Sequence, residues 1–142
     1  MQAEPRIVGL NHVQLEAPPG CETAARAFYG TLLGLAEIAK PANLRGRGGV
    51  WFACGAQQIH IGVVAEGFAP RRKGHPALEV RDLASWRARL VAAGIAIIED
   101  EPLPGWQRCY IADPWGNRIE LLERIDETSG SVDLQCARTA GG

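Results

Sequence analysis

Hydrophobic and polar residues alternate along several short segments of the chain, as they do in strands that bury one face. In the segment 57–64, Ile59, Ile61 and Val63 fall on one face, while Gln58 and His60 fall on the other. The pattern predicts strands at residues 7–16, 50–54, 57–64, 75–80, 95–98, 107–112 and 118–123. A Pro- and Gly-rich stretch at 40–49 is expected to hold a further short strand and a loop.

Two segments have the period of an amphipathic helix instead. In residues 22–33 the apolar positions form one stripe, made of Ala25, Phe28, Tyr29, Leu32 and Leu33. Gly34 is placed to end that helix. The second helix is predicted at 83–93, with Asp82 as its N-cap and an apolar side of Leu83, Trp86 and Leu90.

The elements therefore run strand, helix, three strands, and then the same order again. A repeated order predicts two like modules, here 7–65 and 74–124, within one α+β domain spanning residues 1–124. The remaining residues, 125–142, are polar and small, and we expect a flexible C-terminal tail.

Charge and composition limit the possible partners. The net charge of −1 gives no reason to expect nucleic acid or an anionic membrane surface as a partner. No apolar run approaches the roughly 20 residues that span a bilayer. The N-terminus lacks the features of a signal peptide, and the four cysteines are irregularly spaced. We therefore expect a cytoplasmic protein with reduced thiols.

Candidate chemistry comes from the three histidines and one glutamate. His12 and His60 lie on the first and last predicted strands of module one, and His75 and Glu120 on those of module two. Any one of these residues alone is more often a hydrogen-bonded or solvated side chain than a ligand. Their matching positions in the two repeats favour a site for a divalent metal, since imidazole and carboxylate suit Fe, Zn, Ni, Mn or Co.

Four segments of the chain resemble the vicinal oxygen chelate superfamily, which includes glyoxalase I, extradiol dioxygenases, and fosfomycin and bleomycin resistance proteins. They are residues 10–13 (LNHV), 27–30 (AFYG), 74–80 (GHPALEV) and 113–120 (DPWGNRIE). The resemblance covers roughly residues 7–124. It implies two βαβββ modules that form a U-shaped mixed sheet around a central metal, with helices on the outer face. It also implies a homodimer and the ligand set His12, His60, His75 and Glu120.

The same resemblance implies a metal-dependent enzyme acting on a small oxygenated molecule. The metal would be a Lewis acid in a glyoxalase-like lyase or isomerase, or an O2-activating centre in a dioxygenase. Extradiol dioxygenases use two histidines and a glutamate, corresponding to His12, His75 and Glu120, and His60 would then be free to act as a base. The alternative is a non-catalytic protein that sequesters a small molecule, as bleomycin resistance proteins do.

Further residues are candidates for the substrate pocket. Gln14 shares the face of His12, and Arg108 shares a strand face with Tyr110. Trp51 could supply an apolar wall. The basic residues Arg45, Arg47 and 71–73 are interpreted as solvated loops rather than as part of the site.

Overall fold

The computed structural model describes residues 4–126, which form two compact units. One unit comprises the residues up to Pro70 together with Pro114–Asn117, and the other comprises Arg71–Asp113 and the residues from Arg118 onward. Most of the predicted flexible tail, residues 127–142, lies outside the described part. Within that part, no helix has the length and apolar character needed to cross a membrane.

The first unit contains a four-stranded mixed sheet. Its strands, in sheet order, are β1 (His12–Ala17), β4 (Gln57–Val63), β3 (Val50–Cys54) and β2 (Glu37–Ile38). The edge strand β1 runs parallel to β4, and the other two pairings are antiparallel. Between β1 and β2 lies helix α1 (Glu22–Ala25), which continues as a π-helix over Arg26–Leu32, and a 3-10 helix (Ala42–Arg47) precedes β3.

The second unit repeats this plan in reduced form. Its sheet order is β5 (Ala77–Glu79), β7 (Arg118–Arg124) and β6 (Trp106–Ala112), with helix α2 (Leu83–Ala92) after β5. Again the first strand runs parallel to the last, and β6 is antiparallel to β7. The α+β class predicted from the sequence is therefore confirmed, and the strands form two mixed sheets of four and three strands.

The apolar faces predicted for the helices and strands are buried in each unit. In the first unit, Tyr29 and Phe52 are both fully buried, and their ring centroids lie 5.7 Å apart. In the second, Leu83 and Leu90 of α2 and Leu121 of β7 are at most 1% exposed. Burial of these large side chains supplies the hydrophobic stabilisation of each layer.

The predicted type of the first helix is wrong, although its predicted extent is close to the observed one. After Ala25 the backbone widens, and the amide of Leu33 bonds to the carbonyl of Phe28 rather than to that of Tyr29. The apolar spacing i, i+3, i+4 cannot distinguish an α-helix from a short π-helical run, because both place Phe28 and Tyr29 on the buried side. Leu32 is only half-buried.

Three strand predictions are also corrected. Strand β1 begins at His12, not at residue 7, because its partner β4 starts only at Gln57 and offers nothing earlier to pair with. The second strand lies at Glu37–Ile38, before the stretch in which it was expected, and that stretch is a 3-10 helix instead. Of residues 95–98, only Ile98 pairs, through an isolated bridge to Tyr110.

Strand β5 is shorter than predicted at both ends. The amide of Glu120 bonds to the carbonyl of Pro76, but Pro76 has no N–H to return, so regular pairing starts at Ala77. His75 therefore lies just before the strand rather than within it. The N-cap of α2 is confirmed, since the Asp82 side chain accepts a hydrogen bond from the amide of Ser85 at 3.1 Å.

The turn Pro114–Asn117 between β6 and β7 belongs to the first unit. Gly116 has φ +90° and passes close to Pro70. The side-chain amide of Asn117, which is buried, donates to the carbonyl of Glu16 at 2.8 Å. The turn that precedes the last strand is therefore tied to the end of the first strand.

The short backbone segment that joins the 3-10 helix to β3 depends on Gly49. Its φ is +83°, and a Cβ added there would lie 2.0 Å from the carbonyl oxygen of Ile61. That carbonyl belongs to the β3–β4 pairing, so it cannot move aside without breaking the ladder.

We predict that Gly49→Ala lowers the free energy of unfolding by roughly 2–5 kcal/mol, because it adds a steric clash to an unfavourable φ. The matched control is Gly105→Ala, which has a similar φ of +88° but open space around the added Cβ. That variant should lose only about 1–2 kcal/mol. Denaturant unfolding of both variants measures the difference, and equal losses would contradict the steric argument.

Candidate functional site

In the first unit, three rings form a stack on the polar face of the sheet. The His60 ring lies between Trp51, at a centroid distance of 3.8 Å, and His12, at 4.1 Å. The strand register produces this arrangement, because Trp51 pairs with His60 across β3–β4 and β1 lies on the other side of β4. His60 is only 4% exposed, whereas His12 is open to solvent.

Hydrogen bonds to neighbouring amides set the tautomers of these two histidines. Nδ1 of His12 lies 2.8 Å from Oδ1 of Asn11, and Nε2 of His60 lies 2.8 Å from Oε1 of Gln58. Each of these ring nitrogens donates to its amide oxygen. In the neutral form, the other nitrogen of each ring then carries a lone pair that is available to a metal or a proton.

The surroundings of His60 favour its neutral form. Burial lowers the pKa of His60, and the nearby positive charges of His12 and Lys40 lower it further. A neutral imidazole is the form that binds a metal or accepts a proton.

A cavity of about 440 Å³ opens beside this stack. The lining includes both histidines and two residues predicted for the substrate pocket, Gln14 and Trp51. Lys40 and Arg47 enter it from the segment that contains the 3-10 helix. Gln14 lies over Gly62, where an added Cβ would come within 2.4 Å of its side-chain amide nitrogen.

In the second unit, His75 and Glu120 face each other. Nε2 of His75 lies 3.0 Å from Oε2 of Glu120, and the glutamate is 6% exposed. Nδ1 of His75 lies 2.6 Å from the backbone carbonyl of Lys73. A carbonyl only accepts, so Nδ1 carries the proton.

A cationic and aromatic group surrounds this pair. Nη1 of Arg108 donates to Oε1 of Glu120 at 3.2 Å and to the Tyr110 hydroxyl at 2.9 Å. The Tyr110 ring meets the His75 ring edge-on at 5.0 Å, and the Arg118 guanidinium lies 3.8 Å from the centre of its face. Both pocket residues predicted for this module thus lie in contact with Glu120 or His75.

The structure therefore brings the four predicted ligands together as two pairs, one in each unit. Within residues 4–126, no group of three or more His, Cys, Asp or Glu side chains is close enough to hold a metal. The complete four-ligand set stays a prediction.

Two residues that lie at the site, Lys40 and Arg118, were not predicted from the sequence as site residues. Lys40 precedes a proline at the start of the basic stretch, and Arg118 adjoins the turn before β7. Arg47 was noticed but assigned to a solvated loop. Only the clustering of basic residues near glycines 46, 48 and 49 hinted at Lys40 and Arg47.

The chain matches the family model described as the Glyoxalase/Bleomycin resistance protein/Dioxygenase superfamily over residues 9–121. It belongs to this superfamily. Strands β1 to β6 and both candidate pairs fall within the matched residues, which end inside β7. No curated protein matches the chain.

Solved structures of the superfamily share the fold. A glyoxalase family protein from Bacillus anthracis is 46% identical, with 87% of this chain and 100% of that one covered and a TM-score of 0.82. Lactoylglutathione lyase from Agrobacterium tumefaciens is 26% identical, with coverages of 84% and 96% and a TM-score of 0.64. A fosfomycin resistance protein from Listeria monocytogenes, at 19% identity, 89% and 98% coverage and a TM-score of 0.69, shows likeness of fold alone.

We predict that Trp51→Ala raises the pKa of His60 in the metal-free protein, because it removes the ring that shields the imidazole from water. Because burial lowers the pKa of His60 in the folded protein, its contribution to stability is present above the pKa of an unfolded histidine and is lost as the pH falls through the lowered pKa of the folded state. Trp51→Ala should reduce this pH dependence.

Histidine NMR signals followed through a pH titration measure the effect directly. Trp86→Ala, which removes a tryptophan from α2 in the other unit, is the control and should leave the pKa of His60 unchanged. An unaltered pKa of His60 in Trp51→Ala would show that the stack does not control its protonation.

Proposed function

We propose that this protein is a metal-dependent enzyme that binds a divalent ion through His12, His60, His75 and Glu120 and acts on a small oxygenated molecule. Membership of the superfamily supports the class of chemistry, and the two side-chain pairs support the choice of ligands. A homodimer, as the family resemblance implies, is part of the proposal.

The observation that carries the proposal is the contact between His75 and Glu120. Because the carbonyl of Lys73 fixes the proton on Nδ1, a neutral His75 turns the lone pair of Nε2 toward a carboxylate oxygen 3.0 Å away. Two lone pairs at that distance repel unless a positive charge lies between them or a second proton binds the ring. A divalent cation supplies that charge.

The spacing of the two atoms also suits a metal. Ligand atoms in adjacent positions of an octahedral ion, with bonds of about 2.1 Å, lie about 3.0 Å apart. The second oxygen of Glu120 bonds to Arg108, which orients the carboxylate as outer partners of metal ligands do. The carbonyl of Lys73 has the same orienting role for His75.

A bound divalent ion would supply Lewis acidity toward vicinal substrate oxygens, or activate O2 if the ion is iron. The chain's own residues would do the rest. His60, neutral and buried, is suited to accept a proton if it is not a ligand. The hydroxyl of Tyr110, which accepts a hydrogen bond from Nη1 of Arg108, would be able to donate its own proton to a substrate oxygen beside Glu120.

The similarity to lactoylglutathione lyase, at 26% identity, favours lyase or isomerase chemistry over oxygenation. The competing function is small-molecule sequestration without turnover, which the cavity of about 440 Å³ with its tryptophan wall would also suit. Elemental analysis of the protein purified without chelators separates the two. Stoichiometric metal supports the enzyme, and a metal content at background supports the sequestering protein.

We predict that His75→Ala and Glu120→Ala each abolish metal retention, since each removes one side of the closest ligand pair. Inductively coupled plasma mass spectrometry of the purified variants gives the metal per chain. The variant His60→Gln tests the role of His60. If His60 is a metal ligand, the variant should lose affinity for the metal; if His60 is a base, the variant should retain that affinity.

The matched control is Glu79→Gln, which removes an exposed carboxylate from β5, the strand paired with β7. It should retain metal as the parent does. Full metal occupancy in Glu120→Ala, with folding verified by circular dichroism, would refute the proposed ligand set.

A further inference from the structure

The side chains that line the cavity in the first unit carry a net positive charge. Two permanent cations, Lys40 and Arg47, line it together with His12 and His60, and no acidic residue is among the described residues of its lining. A neighbouring cavity of about 390 Å³ differs in this respect, because there Arg26 is paired with Glu37 at 2.7 Å. Glu22, which lies outside the lining of the first cavity, interacts with Lys40 and offsets part of this charge, whereas Arg47 has no acidic partner among the described residues.

The cations belong to a segment that is held in place by hydrogen bonds. The ammonium group of Lys40 donates to the carbonyl of Gly48, and Nε of Arg45 donates to the carbonyl of Lys40 at 3.1 Å. The amide of Gly49 donates to the Glu22 carboxylate at 3.0 Å, which fastens the segment to α1. Such fixing reduces the entropy lost when a ligand binds.

Both cations keep hydrogen-bonding capacity. An ammonium group has three donors, and Lys40 uses one of them on Gly48. Arg47 forms no ion pair or hydrogen bond within the part of the chain that the structure describes, so its planar fork of donors is available to an oxyanion.

We infer that this cavity binds the oxyanion group of an organic acid, a carboxylate or a phosphonate, through Lys40 and Arg47. Trp51 offers an apolar wall for the carbon skeleton, and the amide of Gln14 offers a further polar contact. The inference rests on the proposed function in one respect. The reacting end of such a substrate would lie beside His12 and His60 while its oxyanion group is bound by Lys40 and Arg47.

The test uses three probes on the full chain after chelator treatment, namely benzoate, phenylphosphonate and the neutral benzyl alcohol. Isothermal titration calorimetry at low ionic strength should show at least one of the two anions binding about tenfold or more tightly than the alcohol. The stronger of the two identifies the preferred oxyanion.

The double variant Lys40→Met/Arg47→Gln should lose that preference by about tenfold or more. Arg47→Gln alone should lose part of it, and this variant tests the idea even if removing Lys40 disturbs the segment. The matched control, Arg71→Gln, makes the same change of charge at an exposed arginine of the other unit and should bind all three probes as the parent does.

Equal binding of the anions and the alcohol, or anion binding that survives in the double variant, would overturn the inference. Metal content is measured in the same preparations before chelation, and the double variant should retain it because neither residue is a proposed ligand. If the parent protein retains metal but does not bind the anions selectively, only the proposed oxyanion site is refuted. If the parent protein binds the anions selectively but never holds metal, only the proposed metal-dependent function is refuted.

Discussion

In both sheets the first strand pairs in parallel with the last, and the candidate chemistry depends on this pairing. A parallel pair needs a crossover connection, here made by a helix and further strands, so residues far apart in sequence become neighbours. Gln14 pairs with His60 in one sheet and Ala77 pairs with Glu120 in the other. His12 and His75 then reach the side chains on the last strand from the start of the first.

The two pairs solve the problem of buried polar groups in different ways. His60 is buried between two aromatic rings, and its burial lowers its pKa, which favours the neutral form and so keeps little charge away from water. Glu120 is buried, and one oxygen of its carboxyl group accepts a hydrogen bond from Arg108. On its other oxygen it meets a histidine whose proton is directed elsewhere. That second contact is favourable only with an additional positive charge, which makes Glu120 the more demanding of the two buried groups.

The sequence alone predicted the repeated strand and helix order, apart from the strand expected at 95–98, together with the α+β class, the N-cap at Asp82 and the faces of β4. Those features arise from local periodicity and capping. The strand starts were wrong because they depend on where a distant partner begins, as Gln57 limits β1. The position of Lys40 was not predictable, since it is fixed by the hydrogen bond that its ammonium group donates to the carbonyl of Gly48 and by the anchoring of Gly49 to Glu22 across 27 residues.

The bond from Asn117 to the carbonyl of Glu16 joins residues 101 positions apart in the chain. Contacts of such long sequence separation slow folding, because the entropy of closing a long loop is lost before the contact can stabilise the chain. During synthesis, the first unit therefore lacks its Pro114–Asn117 segment until residues 71–113 of the second unit have been made. The second unit depends on the end of the chain as well, because its central strand, β7, follows that turn directly. Neither sheet can be completed with its full set of contacts before the last part of the matched region has been made.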